Sequence, residues 1–305
     1  MTLEAWLKRA VRMYAGRGAA LGQISTSARD EALYLILRTL GLPLSSPAAV
    51  MHRRLSSGES AALARVFRRR LVERVPAAYI TGEAWLGGLR FHVDERVLIP
   101  RSYFVEILPT QVDPWIADPR AVTRVADVCT GSGCLAVLLA RHFKGARVDA
   151  TDLSASALEV AAINVRRHRL GGRVRLVGGD LFREAPAGRY DVIVSNPPYE
   201  PSGHVDRLPE EFRREPRLAL DGGPDGLGLV RRLVREAAGR LRPHGILMIE
   251  VGGGRDAFER EFGRLEPHWF HTEDGSDCVC LLQAARLKGA RAGAGRGGRR
   301  AAARR

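Results

Sequence analysis

Four consecutive residues, Asn196, Pro197, Pro198 and Tyr199, combine a polar amide with an unusually stiff backbone. They follow the apolar run 190–195, whose pattern predicts a buried strand. Proline fixes φ and biases the preceding residue away from the helical region, so Asn196 is expected to adopt an extended or turn conformation. Its side-chain oxygen can accept a hydrogen bond from an NH2 group, and Tyr199 offers a flat face for a planar group. The corner predicts a site that grips a planar nitrogen group; a rigid turn without chemistry is the alternative.

A glycine-rich loop predicts a second site, for a nucleoside-containing ligand. An apolar strand at 124–128 leads into five loop residues and then a helix; the five are Cys129, Thr130, Gly131, Ser132 and Gly133. Glycines let the backbone approach a ligand where a Cβ would collide. The spacing Gly-x-Gly-x-x-Ala also satisfies a dinucleotide fingerprint, so the loop alone leaves NAD and S-adenosylmethionine open.

Carboxylates stand at or near the ends of the first three predicted strands of this region. Asp127 lies in the first strand, close to where a ligand amino group would sit. Asp152 ends the second strand and can take both ribose hydroxyls of a nucleoside. Asp180 ends the third and can receive an adenine amino group. Asp127, the proline corner and an antiparallel final strand together favour S-adenosylmethionine over NAD.

Alternating strands and helices from residue 124 onward predict an α/β fold with a doubly wound, largely parallel sheet. The predicted strands are 124–128, 147–151, 174–177, 190–195, 245–251, 268–272 and 278–283. The predicted helices are 134–143, 154–168, 226–241 and 255–263. Only residues 273–277 join the last two strands, and so short a link requires an antiparallel pair.

The rest of the chain divides into three further segments. Residues 1–78 show helical periodicity and predict a small helical domain that recognises a partner or substrate. Residues 79–100 predict a β-hairpin linker, with strands at 79–81 and 89–93. Residues 101–285 are assigned to the domain that would bind S-adenosylmethionine. Residues 286–305 form a basic tail, rich in Arg, Gly and Ala, that cannot build a core and is expected to be disordered.

Composition sets broad limits on location and chemistry. The 305 residues contain no run of 18 apolar residues and no N-terminal apolar signal, which predicts a cytoplasmic protein without membrane spans. The four cysteines lack zinc-knuckle spacing, so we expect no metal. The net charge is +14, of which the tail carries eight basic and no acidic residues. The tail is either a sequence-independent RNA clamp or a solvated extension.

These motifs resemble those of the bacterial protein-glutamine methyltransferases, which modify side-chain amides of translation proteins. The resemblance covers about residues 1–285. Its motifs are Ile99-Pro100-Arg101, 127–133, Asp152, 196–199, Glu215-Pro216, Leu218-Ala219-Leu220, Gly222, Asp225-Gly226 and Glu250-Val251-Gly252. It implies a Rossmann-like, seven-stranded S-adenosylmethionine-dependent domain with an antiparallel last strand, preceded by the helical domain and hairpin linker.

Two branches of that family are known to us, and the motifs favour one. Segments 78–81, 83–85, 93–97 and 129–134 resemble the branch that modifies the third large-subunit ribosomal protein. The other branch modifies peptide release factors at a Gly-Gly-Gln loop and stays open as an alternative. Two departures are Tyr103, where the ribosomal branch usually has proline, and the Arg-rich tail.

The resemblance also implies roles for individual residues. The catalytic set is Asn196, Pro197, Pro198 and Tyr199, with the Asn196 oxygen and Pro197 carbonyl accepting the two N–H groups of the target amide. The cofactor set is Arg101, Asp127, Cys129, Thr130, Gly131, Ser132, Gly133, Asp152, Asp180, Leu181 and Asn196. The implied partner is a large-subunit ribosomal protein within an rRNA-containing assembly intermediate.

Three other functions remain open from the residues alone. Adenine N6 is also a planar NH2 group, so a nucleic-acid adenine methyltransferase fits the corner and the basic charge. A nicotinamide oxidoreductase fits the glycine loop. A non-catalytic ribosome-assembly factor fits the fold. Glu215, beyond the corner, is interpreted as a residue that fixes its loop.

Overall fold

The computed structural model describes residues 1–287. The prediction for the basic tail therefore falls, from residue 288 onward, outside the described residues. Within 1–287, no helix is both long enough and apolar enough to cross a membrane.

Four helices build the N-terminal part: α1 (Leu3–Arg17), α2 (Ala28–Thr39), α3 (Ser57–Leu71) and α4 (Ala77–Thr81). Local side chains fix where the first three begin. Ser27 accepts a hydrogen bond from the Asp30 N–H, and Ser56 forms a reciprocal capping box with Glu59. The bundle closes around aromatic contacts such as Trp6 against Phe67, whose ring centroids lie 5.2 Å apart. The predicted helical domain is present in this form.

The linker contains a hairpin, β1 (Glu83–Leu86) and β2 (Leu89–His92), joined at two glycines with positive φ. The predicted strand at 79–81 is wrong, because these residues belong to α4. Pro76 precedes that helix, and Gly82 ends it with φ 68°. The Thr81 hydroxyl also donates back to the Ala77 carbonyl, which satisfies both groups within the helix.

The main domain is a seven-stranded sheet in the order β5-β4-β3-β6-β7-β9-β8. Its strands are β3 (Arg124–Val128), β4 (Arg147–Asp152), β5 (Val174–Gly178), β6 (Tyr190–Ser195), β7 (Leu241–Glu250), β8 (His268–Trp269) and β9 (Val279–Gln283). Strands β3 to β7 pair in parallel, and β9 runs antiparallel to both β7 and β8. The predicted antiparallel edge pair is confirmed. Strand β8 is shorter than predicted because the chain enters the turn at Thr272–Asp277.

Helices cover both faces of the sheet: α5 (Phe104–Thr110), α6 (Cys134–His142), α7 (Ala155–Arg167), α8 (Ser202–Val205), α9 (Glu210–Arg213), α10 (Gly228–Arg240) and α11 (Arg255–Phe262). One buried core joins α5, α6 and α7 to the sheet, and another joins α10 and α11. Leu287 is fully buried in the second core, so the predicted start of the basic tail at residue 286 is too early. Strands β4 and β5 are added on one side of β3, whereas β6 and β7 are added on its other side. Ligands bind at such a switch point, beyond the carboxyl ends of the strands.

Candidate active site

A cleft of about 420 Å³ opens at that switch point. Both predicted motifs line it. The predicted site residues on its wall are Arg101, Cys129, Thr130, Gly131, Ser132, Asp152, Asp180, Leu181, Asn196 and Pro198. The remaining four, Asp127, Gly133, Pro197 and Tyr199, are not among the residues that line the cleft. The sequence thus predicted one shared site, while the structure separates wall residues from supporting residues.

The two loop glycines have different tasks. Both adopt positive φ, 52° for Gly131 and 78° for Gly133. A Cβ on Gly131 would meet nothing within 4 Å, so this is where bare backbone faces the cleft. A Cβ on Gly133 would lie 3.1 Å from the Ala161 Cβ, so that glycine lets α6 pack closely on α7.

Asp127 supports the loop from below. It is fully buried, and its Oδ2 accepts a 2.5 Å hydrogen bond from the Thr130 hydroxyl. Its Oδ1 has no hydrogen-bond partner within residues 1–287. Burial raises the pKa of Asp127 to about 7. The carboxyl therefore orders the loop through Thr130 and keeps one unused acceptor beneath it.

Asp152 is held at the end of β4 with both oxygens engaged by backbone. Oδ2 accepts from the Gly131 N–H and Oδ1 from the Ser154 N–H, each at 2.8 Å. Burial raises the pKa of Asp152 above its ordinary value. The side chain thus links the glycine loop to the start of α7 at a fixed place on the cleft wall, where hydroxyl groups of a ligand can reach it.

Asp180 differs from Asp152 because it has a side-chain partner. Its Oδ2 accepts a 2.6 Å hydrogen bond from the Arg232 guanidinium, and Arg232 also lines the cleft. Arg232 could not be predicted from the sequence, since nothing in the motif pattern connects α10 to the end of β5. Next to Asp180, Leu181 adopts φ 53° and is buried, which turns the chain away from the sheet.

Ser195, the residue before the asparagine–proline corner, connects the corner to the strand that leads into the glycine loop. The Ser195 hydroxyl donates 2.7 Å to the Val128 carbonyl, which joins the end of β6 to the end of β3. Three glycines then make room for the corner. A Cβ on Gly252 would lie 2.3 Å from the Tyr199 ring. A Cβ on Gly226 would lie 2.2 Å from the Tyr199 carbonyl oxygen, and a Cβ on Gly222 would lie 2.8 Å from the Pro198 carbonyl oxygen. The family glycines noted in the sequence therefore surround this corner.

Glu250, at the end of β7, fixes the Asn196 amide. Its Oε1 accepts from the Asn196 Nδ2 at 3.1 Å, while its Oε2 accepts from the Ser102 hydroxyl at 2.6 Å and the Tyr103 N–H at 3.2 Å. Burial raises the pKa of Glu250 to about 7. A carboxylate only accepts, so it selects the NH2 side of Asn196 and leaves Oδ1 for another donor. The sequence quoted Glu250 only as part of a motif and did not predict this contact.

Arg101 and the buried Glu215 form an ion pair beside the cleft. Arg101 donates to both oxygens of Glu215 at 2.8 and 2.9 Å. Glu215 also accepts from the Ile99 N–H at 2.9 Å and from Gln23 at 2.5 Å. These contacts agree with the interpretation of Glu215 as a residue that fixes its loop, which stays a prediction. Because Gln23 belongs to the N-terminal part, this carboxylate also joins the bundle to the catalytic domain.

The thiols contribute packing rather than chemistry. Cys134, Cys278 and Cys280 are buried, and Cys129 is half-buried. Burial raises the pKa of Cys134 to about 12 and that of Cys278 to about 11, so these thiols are protonated near neutral pH. Within residues 1–287 no three His, Cys, Asp or Glu side chains are grouped so as to hold a metal ion.

Comparison with known proteins assigns this arrangement to a family. The family model described as "Methyltransferase small domain" matches residues 105–223. A Bordetella pertussis protein named ribosomal protein uL3 glutamine methyltransferase is 47% identical over 281 residues, covering 92% of this chain and 94% of that protein. A Burkholderia pseudomallei protein of the same name is 45% identical over 293 residues, covering 94% and 95%. This chain belongs to the uL3 glutamine methyltransferase family. The predicted glutamine methyltransferase class and its ribosomal branch are confirmed.

A solved structure agrees with the fold of this methyltransferase. The catalytic domain of hMettl16, crystallised with a MAT2A 3'UTR hairpin, matches with a TM-score of 0.50 at 16% identity, covering 75% of this chain and 81% of that one. At that identity the match concerns the fold alone, and it agrees with the predicted Rossmann-like sheet.

Proposed function

We propose that this methyltransferase transfers a methyl group from S-adenosylmethionine to the side-chain amide nitrogen of a glutamine in ribosomal protein uL3. One observation carries the proposal. The Asn196 amide lines the cleft with its NH2 tied to Glu250 Oε1, which leaves Oδ1 as an oriented acceptor. An acceptor fixed in this way suits a substrate that presents N–H groups, as a carboxamide does. The names of the curated relatives supply the substrate.

The cleft fits the proposed cofactor in size and in donor chemistry. A bare backbone at Gly131, the oriented carboxylate of Asp152 and the exposed Leu153 side chain lie along one wall. We assign the ribose hydroxyls to Asp152 and the adenine end to the region of Asp180 and Leu181. The loop residues and Arg101 complete this set, and Asp127 acts from beneath through Thr130. When bound, S-adenosylmethionine supplies an electrophilic methyl group on a sulfonium.

The corner would act by orientation. The nitrogen of a carboxamide is a weak nucleophile because its lone pair is shared with the carbonyl. Asn196 Oδ1 and the Pro197 carbonyl would accept the two N–H groups and hold the nitrogen toward the methyl group, and fixed orientation of this kind supplies up to roughly 7–11 kcal/mol in model reactions. Acceptor dipoles also stabilise the positive charge that develops on the nitrogen. The proton is lost after transfer, so no strong base is required.

Tyr199 is the last residue of the corner and would offer its ring to the substrate amide. Its ring lies against Gly252, and burial raises the pKa of its phenol, so the hydroxyl stays neutral. We assign Tyr199 and Pro198 the tasks of packing against the amide plane and excluding water.

We further propose that the substrate is presented within an rRNA-containing assembly intermediate in the cytoplasm. The proposed target is a ribosomal protein, and ribosomal proteins are assembled on RNA. The tail beyond residue 287 carries seven basic and no acidic residues, a composition that favours phosphate contacts.

The experiment uses the purified full chain with radiolabelled S-adenosylmethionine and, separately, uL3, a peptide release factor and RNA. We expect label in one glutamine of uL3, resistant to nuclease and located by mass spectrometry. Asn196→Ala should lose about a hundredfold in kcat, the scale of removing one polar partner from a reacting centre. Calorimetry should show that the same variant still binds S-adenosylhomocysteine.

Label in the release factor or in RNA would replace the proposed substrate. Near-normal turnover by Asn196→Ala, with uL3 still labelled, would leave the substrate standing and remove the catalytic assignment.

A further inference from the structure

The positive charge of the described chain is concentrated in one part. Residues 1–78 contain 13 basic and five acidic residues, a net charge of +8. Residues 79–287 contain 28 basic and 29 acidic residues, a net charge of −1. Arginine is abundant in both parts, so a general preference for arginine does not explain the difference. What distinguishes the N-terminal bundle is its shortage of carboxylates.

Arginines on the inner side of the bundle have carboxylate partners, several of them in the catalytic domain or the hairpin. Arg70, which is fully buried, pairs with Glu31 of the bundle itself, at 2.6 Å. Arg38 pairs with Glu83 at 2.5 Å. Arg70 and Arg74 also both reach Glu211, at 3.3 and 3.0 Å. These ion pairs attach the bundle to the rest of the protein and compensate the positive charge on its inner side.

The outward side is different. Six exposed arginines have no carboxylate within 4.0 Å among the described residues: Arg9, Arg12, Arg17, Arg54, Arg65 and Arg69. We call the exposed surface of α1 and α3 that carries Arg9, Arg12, Arg65 and Arg69 the arginine face. Arg9 and Arg12 lie one turn apart on α1, and Arg65 and Arg69 one turn apart on α3. The two helices pack together through Trp6 and Phe67, so both pairs belong to adjoining helices.

We propose that the arginine face docks on the phosphate backbone of RNA while the catalytic cleft receives the substrate. This goes beyond the basic tail, and it rests on the proposed function only in naming the RNA as the rRNA that accompanies uL3. Guanidinium groups match phosphate oxygens with two parallel hydrogen bonds, and unpaired exposed arginines are free to make them. Neutralising several phosphates also releases counterions, which gives affinity without sequence readout.

An acidic protein partner is the competing occupant, and the surface fits it less well. Stable protein interfaces contain a buried apolar or aromatic centre. Within α1 and α3 no large apolar side chain is exposed, and the exposed Met1 and Val72 just outside these helices are two single side chains rather than such a centre. RNA backbone requires only the charge.

The test measures binding of the full chain to a fluorescent RNA hairpin of about 16 base pairs, the span of a typical duplex contact, between about 50 and 200 mM salt. The variant carries Arg9→Glu, Arg12→Glu, Arg65→Glu and Arg69→Glu. We expect binding at least about tenfold weaker, and a slope of log K against log salt reduced by roughly one for each lost phosphate contact. The tail is present in every protein, so its contribution is common to all.

The matched control carries the same charge change on the catalytic domain: Arg141→Glu, Arg166→Glu, Arg235→Glu and Arg260→Glu. These arginines are exposed and have no carboxylate partner within the described residues. We expect their affinity to stay within about threefold of the parent, because the net charge changes equally but the face is intact. Circular dichroism and methylation of free uL3 should be unchanged in both variants.

Equal losses in the two variants would assign the effect to net charge and overturn the proposal, as would no loss in the first. Displacement of the RNA by poly-glutamate at equal charge concentration would identify a general acidic-ligand surface and also overturn it. RNA binding is measured without methyl transfer, so failure to label uL3 would leave the docking result standing and remove only the proposed substrate.

Discussion

The two walls of the cleft are held by different kinds of contact. On the glycine-loop wall the linking residues are close in sequence: Asp127 and Thr130 are three residues apart, and Gly131 and Asp152 are 21 apart. On the corner wall they are distant. Asn196 and Glu250 are 54 residues apart, and Ser102 and Glu250 are 148 apart.

This difference indicates a division of labour. The loop wall is built by two consecutive strand–turn–helix units, β3 to α6 and β4 to α7, so its shape depends on neighbouring segments and suits a ligand of fixed structure such as a nucleoside. The corner wall is assembled by tertiary packing from α5, β6, β7 and the loop before α10. Substitutions on the first wall should therefore change cofactor affinity, and substitutions on the second should change the rate of the chemical step.

The largest expected effect is on the corner wall, from Gly252→Ala. The new Cβ would lie 2.3 Å from the Tyr199 ring at a residue with φ 50°, so the corner must shift. We expect kcat to fall by about a hundredfold or more, since misplacement of about 1 Å costs that much. Gly253→Ala is the matched control: its Cβ would meet nothing within 4 Å, and its activity should stay near that of the parent. Comparable losses in both variants would contradict the packing argument.

The next effect tests the carboxylate behind Asn196. Burial raises the pKa of Glu250 to about 7, so its charged form is lost as the pH falls through that value. A protonated carboxyl gives up one acceptor, so kcat should fall toward acid pH. Glu250→Gln should lower kcat by about ten- to hundredfold, the cost of leaving a buried polar group unmatched, with S-adenosylhomocysteine binding retained.

Asp127 is a second group that could cause this pH dependence, because burial also raises its pKa to about 7. The pH profile of kcat in the variant distinguishes the two carboxyl groups. In Glu250→Gln the acid limb of kcat should disappear. An unchanged limb in that variant would assign the titration to another group, with Asp127 as the first to test.

On the loop wall, Asp152→Asn should act mainly on cofactor binding. The amide keeps one acceptor for backbone but loses the charge, and hydrogen bonds to charged groups contribute about 1.5–3 kcal/mol. We expect KM for S-adenosylmethionine to rise about tenfold or more, with kcat within about threefold of the parent. A fall in kcat without a change in KM would mean that the two walls do not divide the work as described.

The smallest effect on catalysis is expected from Glu211→Gln, which lies away from both walls. Glu211 is buried against Arg70 and Arg74, and weakening a buried pair should lower the free energy of unfolding by about 1–3 kcal/mol. Glu210→Gln is the control, because its pair with Arg214 is exposed and should contribute less than about 1 kcal/mol. Thermal unfolding of both variants gives the comparison, and equal stabilities would show that Glu211 does not anchor the bundle.

Most of the strands and helices could be predicted from the sequence, and most of the predicted site residues line the cleft. Strands β3 to β6 and helices α6 and α7 lie within one or two residues of prediction, because period and turn residues fix them locally. The strand predicted at 79–81 is wrong because these residues belong to a short helix between Pro76 and Gly82. Tyr79, Ile80 and Thr81 are residue types that favour strands, so the sequence pattern did not indicate this helix. No periodicity could connect Arg232 to Asp180, since that pair depends on where α10 packs.

The amino-acid sequence by itself determined which chemical groups are available: a glycine loop with accessible backbone, carboxylates at strand ends and a stiff asparagine–proline corner. These follow from φ restrictions and hydrogen-bonding capacity, which are properties of neighbouring residues. Tertiary packing decided which groups line the cleft and which do not, and which side of the Asn196 amide is free. Those choices depend on partners such as Ser102, Glu250 and Gly252, which meet Asn196 and Tyr199 only after the sheet has brought distant segments together.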